Sequence, residues 1–168
     1  DLFEKHGTTE FLGYDLEKAD ATALVLIKNG KESGSIEKGD IAYLITNQTP
    51  FYGESGGQVG DTGQITSESF HARVKDTRKK VGGLTVHEIA VLEGTLKAGD
   101  AVTMEVDHAR RQAIRANHSA THLLHEALRR VLGDHVTQKG SLQDHERTRF
   151  DISHPKAITA DQIKEVEE

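Results

Sequence analysis

Cysteine is absent from the 168 residues, so disulfides and thiolate metal ligands are excluded within them. Proline occurs twice, and 35% of residues are hydrophobic, a composition that supports a core and is not that of a disordered chain. No apolar run approaches the ~18 residues a membrane span needs, and no signal peptide opens the chain. Positive charge is outnumbered as well: 21 Lys and Arg face 27 Asp and Glu, a formal net charge of −6. A domain that held nucleic acid by bulk electrostatics alone would be basic. Any RNA contact must therefore come from a local basic patch or from other domains of a longer chain. A cytoplasmic protein is expected. The start at Asp1, without Met, and the end at Glu167-Glu168, inside a predicted helix, read as boundaries within a longer protein.

Residues 1–107 read as β. Apolar runs over 21–27, 41–46, 70–74, 84–92 and 101–106 alternate with the turn signals Asn29-Gly30, Lys38-Gly39-Asp40, Gly82-Gly83 and Gly99-Asp100. That rhythm predicts a small antiparallel barrel or sandwich. Ile36-Glu37-Lys38-Gly39-Asp40 and Leu96-Lys97-Ala98-Gly99-Asp100 each precede a strand, and read as one turn chemistry used twice. From Asp107 the pattern becomes helical. Asn117 is a candidate cap, and Ala120, Leu123, Leu124, Ala127, Leu128, Val131 and Leu132 form a stripe at helical spacing that Gly133 ends. Val136–Leu142 and Arg147–Ser153 flank a turn, and Thr159-Ala160-Asp161-Gln162 is a capping box for a last helix. The expected fold class is α+β: an N-terminal small antiparallel β-barrel over 1–107, then an α+β subdomain over 108–168 that is truncated at its C-terminus.

Among the groups able to carry chemistry, His118-Ser119-Ala120-Thr121-His122 is the sharpest. Histidines at i and i+4 project side by side from a helix, within reach of one metal ion. At about 100° per residue they are expected opposite the leucine stripe. A solvated polar face shared with His125 and Arg129 is the alternative. Ser119 stands where a zincin carries its glutamate, which excludes that protease pattern. A zinc site needs three or four protein ligands. Asp107, His108, His135, His145 and His154 are available without a diagnostic spacing, and the remaining ligands are expected beyond Glu168. The glycine-rich stretch 51–63 lacks the closing Lys-Ser/Thr of a phosphate loop. Its Gly56-Gly57-Gln58 matches the release-factor tripeptide, but a structural glycine loop explains it better. Thr137-Gln138-Lys139 begins a strand that could face the histidine pair, with neutral hydrogen-bonding groups and one cation for a phosphate; a polar hairpin edge is the alternative. Basic residues gather in the second half, Arg115 among them, and Phe150 is the sole aromatic there.

Three stretches carry a family resemblance. They are Asn47-Gln48-Thr49-Pro50-Phe51-Tyr52 leading into 54–61; Asn117 to His125; and Val136-Thr137-Gln138-Lys139-Gly140-Ser141 with Arg149-Phe150-Asp151. In this order the chain resembles the editing region of the alanyl-tRNA synthetases and their free-standing relatives, over roughly residues 10–168. The resemblance implies hydrolysis of tRNA(Ala) mischarged with serine or glycine, dependent on zinc held by His118 and His122 plus a Cys and a His that have no counterpart here. It implies catalytic or recognition roles for Thr137 and Gln138. It also implies contact with the tRNA acceptor end, to which Lys139 and Arg115 are assigned, other domains of the same synthetase as partners, and ATP used only by a catalytic domain outside this chain. Two other readings stay open: a non-catalytic tRNA-positioning module, and a self-sufficient metallohydrolase built on the same two histidines.

Overall fold

The computed structural model describes residues 7–55, 57–80, 82–152 and 157–167. The chain divides into two compact units, Asp1–Ser55 with Gly60–Arg110 and Gly56–Val59 with Arg111–Glu168. In chain order the first unit holds β1 (Glu10–Phe11), β2 (Lys18–Lys28), β3 (Lys31–Ser33), β4 (Ser35–Glu37), β5 (Ile41–Thr46) and β6 (Gln48–Thr49). There follow β7 (Gly63–Thr66), β8 (His71–Lys79), β9 (Thr85–Glu93), β10 (Thr95–Lys97) and β11 (Ala101–Val106). Helix α1 (His108–Leu132) continues into β12 (Gln138–Gln143), β13 (Thr148–Ile152) and α2 (Ala160–Glu167).

Six strands close a barrel in the order β11-β7-β8-β9-β5-β2, with every neighbouring pair antiparallel. The ladder from Ala101↔Thr22 to Glu105↔Lys18 joins β11 to β2 and closes the ring. The expected small antiparallel barrel is therefore present, and closure satisfies backbone groups that an open sheet would leave at its edges. Along β9 burial alternates, with Thr85, His87, Ile89 and Val91 inside, the period of two that a half-buried strand requires. Phe51, Leu44, Ile65, Val74 and Met104 fill the interior with them.

The turns follow their sequence signals. Asn29 (φ 55°) and Gly30 (φ 76°) both take positive φ between β2 and β3, as a tight hairpin of this composition demands. The twin phrases make the same turn twice. Glu37 N donates to Asp40 Oδ2 and Lys97 N to Asp100 Oδ2, each at 2.9 Å. The two copies also pair with each other, Leu96 opposite Ile36, and both side chains are fully buried. The Glu37 amide holds the Asp40 carboxyl below its ordinary range, helped by Lys28 at 2.9 Å.

Two expectations need correction. Asn117 does not cap the helix: α1 begins at His108, and Asp107 is the cap, its Oδ1 accepting from Arg110 N at 3.1 Å. The opening turns are too polar to show a helical stripe, which delays the apparent start by several residues. Nor do the histidines lie opposite the buried face. That face runs through Ile114, Thr121, Leu128 and Leu132, with His118 and His125 half-buried on it, while Leu123 is 74% exposed. His122 lies at its exposed margin. Gly133 ends the helix as expected, at φ 115° with its amide donating to Arg129 O. The capping box is also present: Thr159 N donates to Gln162 Oε1 at 2.9 Å and Gln162 N to Thr159 Oγ1 at 3.2 Å. Ser153, from the second expected hairpin arm, and Gly56, from the glycine tripeptide, lie outside the described residues.

Candidate functional site

The second unit stitches α1 to the β12–β13 hairpin through polar side chains. Asn117 Nδ2 donates to Asp144 O at 2.6 Å. Thr121 Oγ1 donates to Asn117 O at 3.0 Å, so at the 2.6 Å contact between hydroxyls Thr148 is the donor to Thr121. Asp144 then organises the hairpin turn by accepting from Glu146 N and Arg147 N at 2.8 Å each, which holds its carboxyl below the usual range. Thr121→Val keeps the shape but leaves the Thr148 hydroxyl unanswered. It is expected to cost about 1–2 kcal/mol in urea unfolding, whereas Thr121→Ser should cost less because it keeps the bond.

His118 occupies the centre of this seam. Its Nδ1 donates to Gln143 Oε1 at 3.2 Å, which leaves Nε2 as the nitrogen with the free lone pair. The His118 and His122 ring centroids are 5.0 Å apart and the planes meet at 81°. Gln143 is buried to 1% exposure, and its backbone is tied to the glycine-rich loop: Gln143 N donates to Gly57 O at 3.0 Å and Val59 N donates to Gln143 O at 3.2 Å. Gly57 takes φ 83°, and a Cβ there would sit 2.4 Å from Ser141 O. The loop thus lies flush on β12 because that position is glycine. Among the described residues, Gln143 Nε2 and His125 Nε2 are buried side-chain nitrogens with no hydrogen-bond partner.

The donor chemistry of the paired imidazoles suits zinc, but it supplies two of the ligands a closed site needs. Among the described residues no group of three or more His, Cys, Asp or Glu could hold a metal. Asp107 is used as a cap, His108 Nδ1 pairs with Glu17 Oε2 at 2.6 Å, and His145 lies 3.5 Å from Glu146. His154 lies outside the described residues.

Thr137, Gln138 and Lys139 are exposed at the start of the hairpin, and Gln138 Nε2 donates to Ser141 Oγ at 2.8 Å. The hairpin side chain that reaches His118 is Gln143, five positions beyond Gln138. Only the fold brings it there, and a lone glutamine at a strand end gives no sign of it in the sequence. Of the second-half basic residues, Arg111 is buried and Arg110 donates to Gly60 O. Arg130, Arg147 and Arg149 lie within 3.6 Å of acidic side chains. Arg115 and Lys139 are exposed.

A family model described as tRNA synthetases class II (A) matches residues 1–110, ending where the first unit ends. The alanine–tRNA ligase of Rhizobium meliloti (strain 1021) is 59% identical over 168 residues, which is all of this chain and 19% of that protein. Its counterpart from Sinorhizobium medicae (strain WSM419) is 57% identical over the same span. That of Mesorhizobium japonicum is 58% identical over 164 residues, 98% of this chain and 18% of its own length. The chain thus spans about 19% of the length of the curated relatives it matches.

Proposed function

The chain belongs to the class II tRNA synthetases of the alanyl type, and on that premise we propose that it is part of an alanine–tRNA ligase and carries half of its editing centre, hydrolysing tRNA(Ala) mischarged with serine or glycine. The observation that carries this reading is the His118–His122 pair, two rings on adjacent turns with one nitrogen of His118 fixed as donor by a buried amide. Such a tie sets the tautomer and leaves Nε2 free to bind an electrophile. Zinc, when bound, would polarise the ester carbonyl or acidify a water. His118 and His122 would hold it, together with ligands from elsewhere in the longer protein.

The chain's own groups account for selectivity. A pocket that accepts serine and rejects alanine needs a hydrogen-bonding group that alanine leaves unpaired, a difference of about 1–3 kcal/mol. The exposed Thr137 and Gln138 are the candidates, with Lys139 and Arg115 meeting phosphates of the acceptor end. In this reading the intact protein works in the cytoplasm, with ATP consumed by a separate catalytic domain. Among the described residues no helix is long and apolar enough to cross a membrane.

The test is the double variant His118→Ala, His122→Ala in the full-length protein, assayed for deacylation of seryl-tRNA and for tRNA affinity. Deacylation should be lost and affinity kept. Deacylation at the parental rate would overturn the hydrolytic reading in favour of a tRNA-positioning module.

A further inference from the structure

The first unit contains a cleft of about 380 Å³ that the editing reading does not use. The segment after Gly7 runs beside residues 47–49, with Glu10 N donating to Asn47 O and Leu12 N to Thr49 O, and Thr9 N donating to Gly83 O. Phe11 and Tyr14 of this segment line the cleft. Their rings meet edge to face at 5.0 Å, and Tyr52 approaches Phe11 edge to face at 6.2 Å. Tyr14 is 86% exposed, an unusual cost for a tyrosine that only packs. Lys79 also lines the cleft. The loop at Gly53 runs flush along β8, since a Cβ at Gly53 would sit 2.8 Å from Lys79 N.

The charge is as informative as the rings. Acidic residues outnumber basic ones in this chain, yet no carboxylate lines the cleft among the described residues. Neighbouring Arg78 is engaged by Asp76 at 2.9 Å, whereas Lys79 is exposed and holds no carboxylate among the described residues. The remaining lining is glycine and the hydroxyls of Thr8, Thr9, Ser55 and Thr85. Aromatic faces, neutral hydrogen-bonding groups and one uncompensated ammonium suit a flat heteroaromatic ring carried on a phosphodiester.

We propose that this cleft binds an unpaired nucleotide of the tRNA, its base stacked on Tyr14 and its phosphate paired with Lys79. The site rests on the reading of the chain as part of a tRNA-handling enzyme, but it is separate in residues from the histidine pair.

The chain has three tyrosines and no tryptophan, and two of the three, Tyr14 and Tyr52, line the cleft, so a change in tyrosine emission that persists in Tyr43→Ala reports it. Titration with a short single-stranded RNA should quench it, with an affinity that falls as salt rises. Tyr14→Ala should weaken binding about tenfold, and Tyr14→Phe should retain it, because the ring and not the hydroxyl does the stacking. Lys79→Ala should weaken binding and reduce the salt slope by about one. Tyr43→Ala, which removes the one tyrosine outside the cleft, should bind as the parent does. The proposal is overturned if folded Tyr14→Ala and Lys79→Ala bind RNA with parental affinity, or if adenosine monophosphate binds as tightly as the RNA. The double histidine variant should leave this titration unchanged, so loss of the editing reading and loss of this one are told apart.

Discussion

Gly94→Ala should lower the stability of the barrel by at least ~4 kcal/mol, while Gly39→Ala should cost only about 1–2. Both glycines adopt left-handed backbone, φ 78° and 90° respectively, so both substitutions carry the same intrinsic penalty. Their surroundings separate them. A Cβ at Gly39 meets nothing within 4 Å, but at Gly94 it would sit 1.7 Å from Ser69 O and 3.0 Å from Phe70 Cα. The obstacle is backbone, so no rotamer change relieves it. Moving it would drag out Phe70, whose side chain is 2% exposed in the core. Thermal unfolding followed by circular dichroism is the measurement. At roughly 2–4 °C per kcal/mol for a chain of this size, Gly94→Ala should melt ~10 °C or more below the parent. Equal melting points for the two variants would mean that the β9–β10 turn yields freely.

The second large effect is on acid stability. His87 is fully buried, and its protonation is pushed down from 6.5 to about 4 because burial penalises the cation, against a smaller opposing effect from Leu44 O. The hydrogen bonds define the neutral tautomer. Leu44 O can only accept, so Nδ1 donates to it at 2.9 Å, and Nε2 must then accept from Thr49 Oγ1 at 2.8 Å. That hydroxyl in turn accepts from Phe51 N at 3.1 Å. Below pH 6.5 the unfolded chain takes up a proton that the fold refuses until about pH 4. Stability contributed by neutral His87 is thus complete at neutral pH, declines as pH falls through that window, and levels off below it. The shift corresponds to roughly 3 kcal/mol. Urea unfolding across this range should show a steeper loss for the parent than for His87→Gln, which does not titrate; parallel curves would contradict the assignment.

Legibility differed sharply between local and non-local features. Asn29-Gly30, Gly133, the Thr159–Gln162 box and the paired Gly-Asp turns act within a few residues, so the sequence contains their whole mechanism. Helix α1 was harder. Its first three turns include a buried arginine and few apolar residues, so the apolar period starts late and the cap at Asp107 passes for ordinary polarity. Strand β7 has four residues with a single buried apolar one, Ile65, too short to announce itself. The histidine pair was visible because i,i+4 spacing is itself helical geometry. Its partner Gln143 was not, because a contact across 25 positions is decided by the hairpin's register rather than by any neighbouring residue.

The tie between Gly57–Val59 and Gln143 also bears on the order in which the protein takes shape during synthesis. The barrel's closing strand ends at Val106, well before Gln143 leaves the ribosome. For that interval the main-chain groups of residues 57–59 await a hairpin not yet made. A polypeptide stopped between Val106 and Gln143 would leave those groups without these partners permanently, so residues 111–168 complete the second unit only together with residues 56–59.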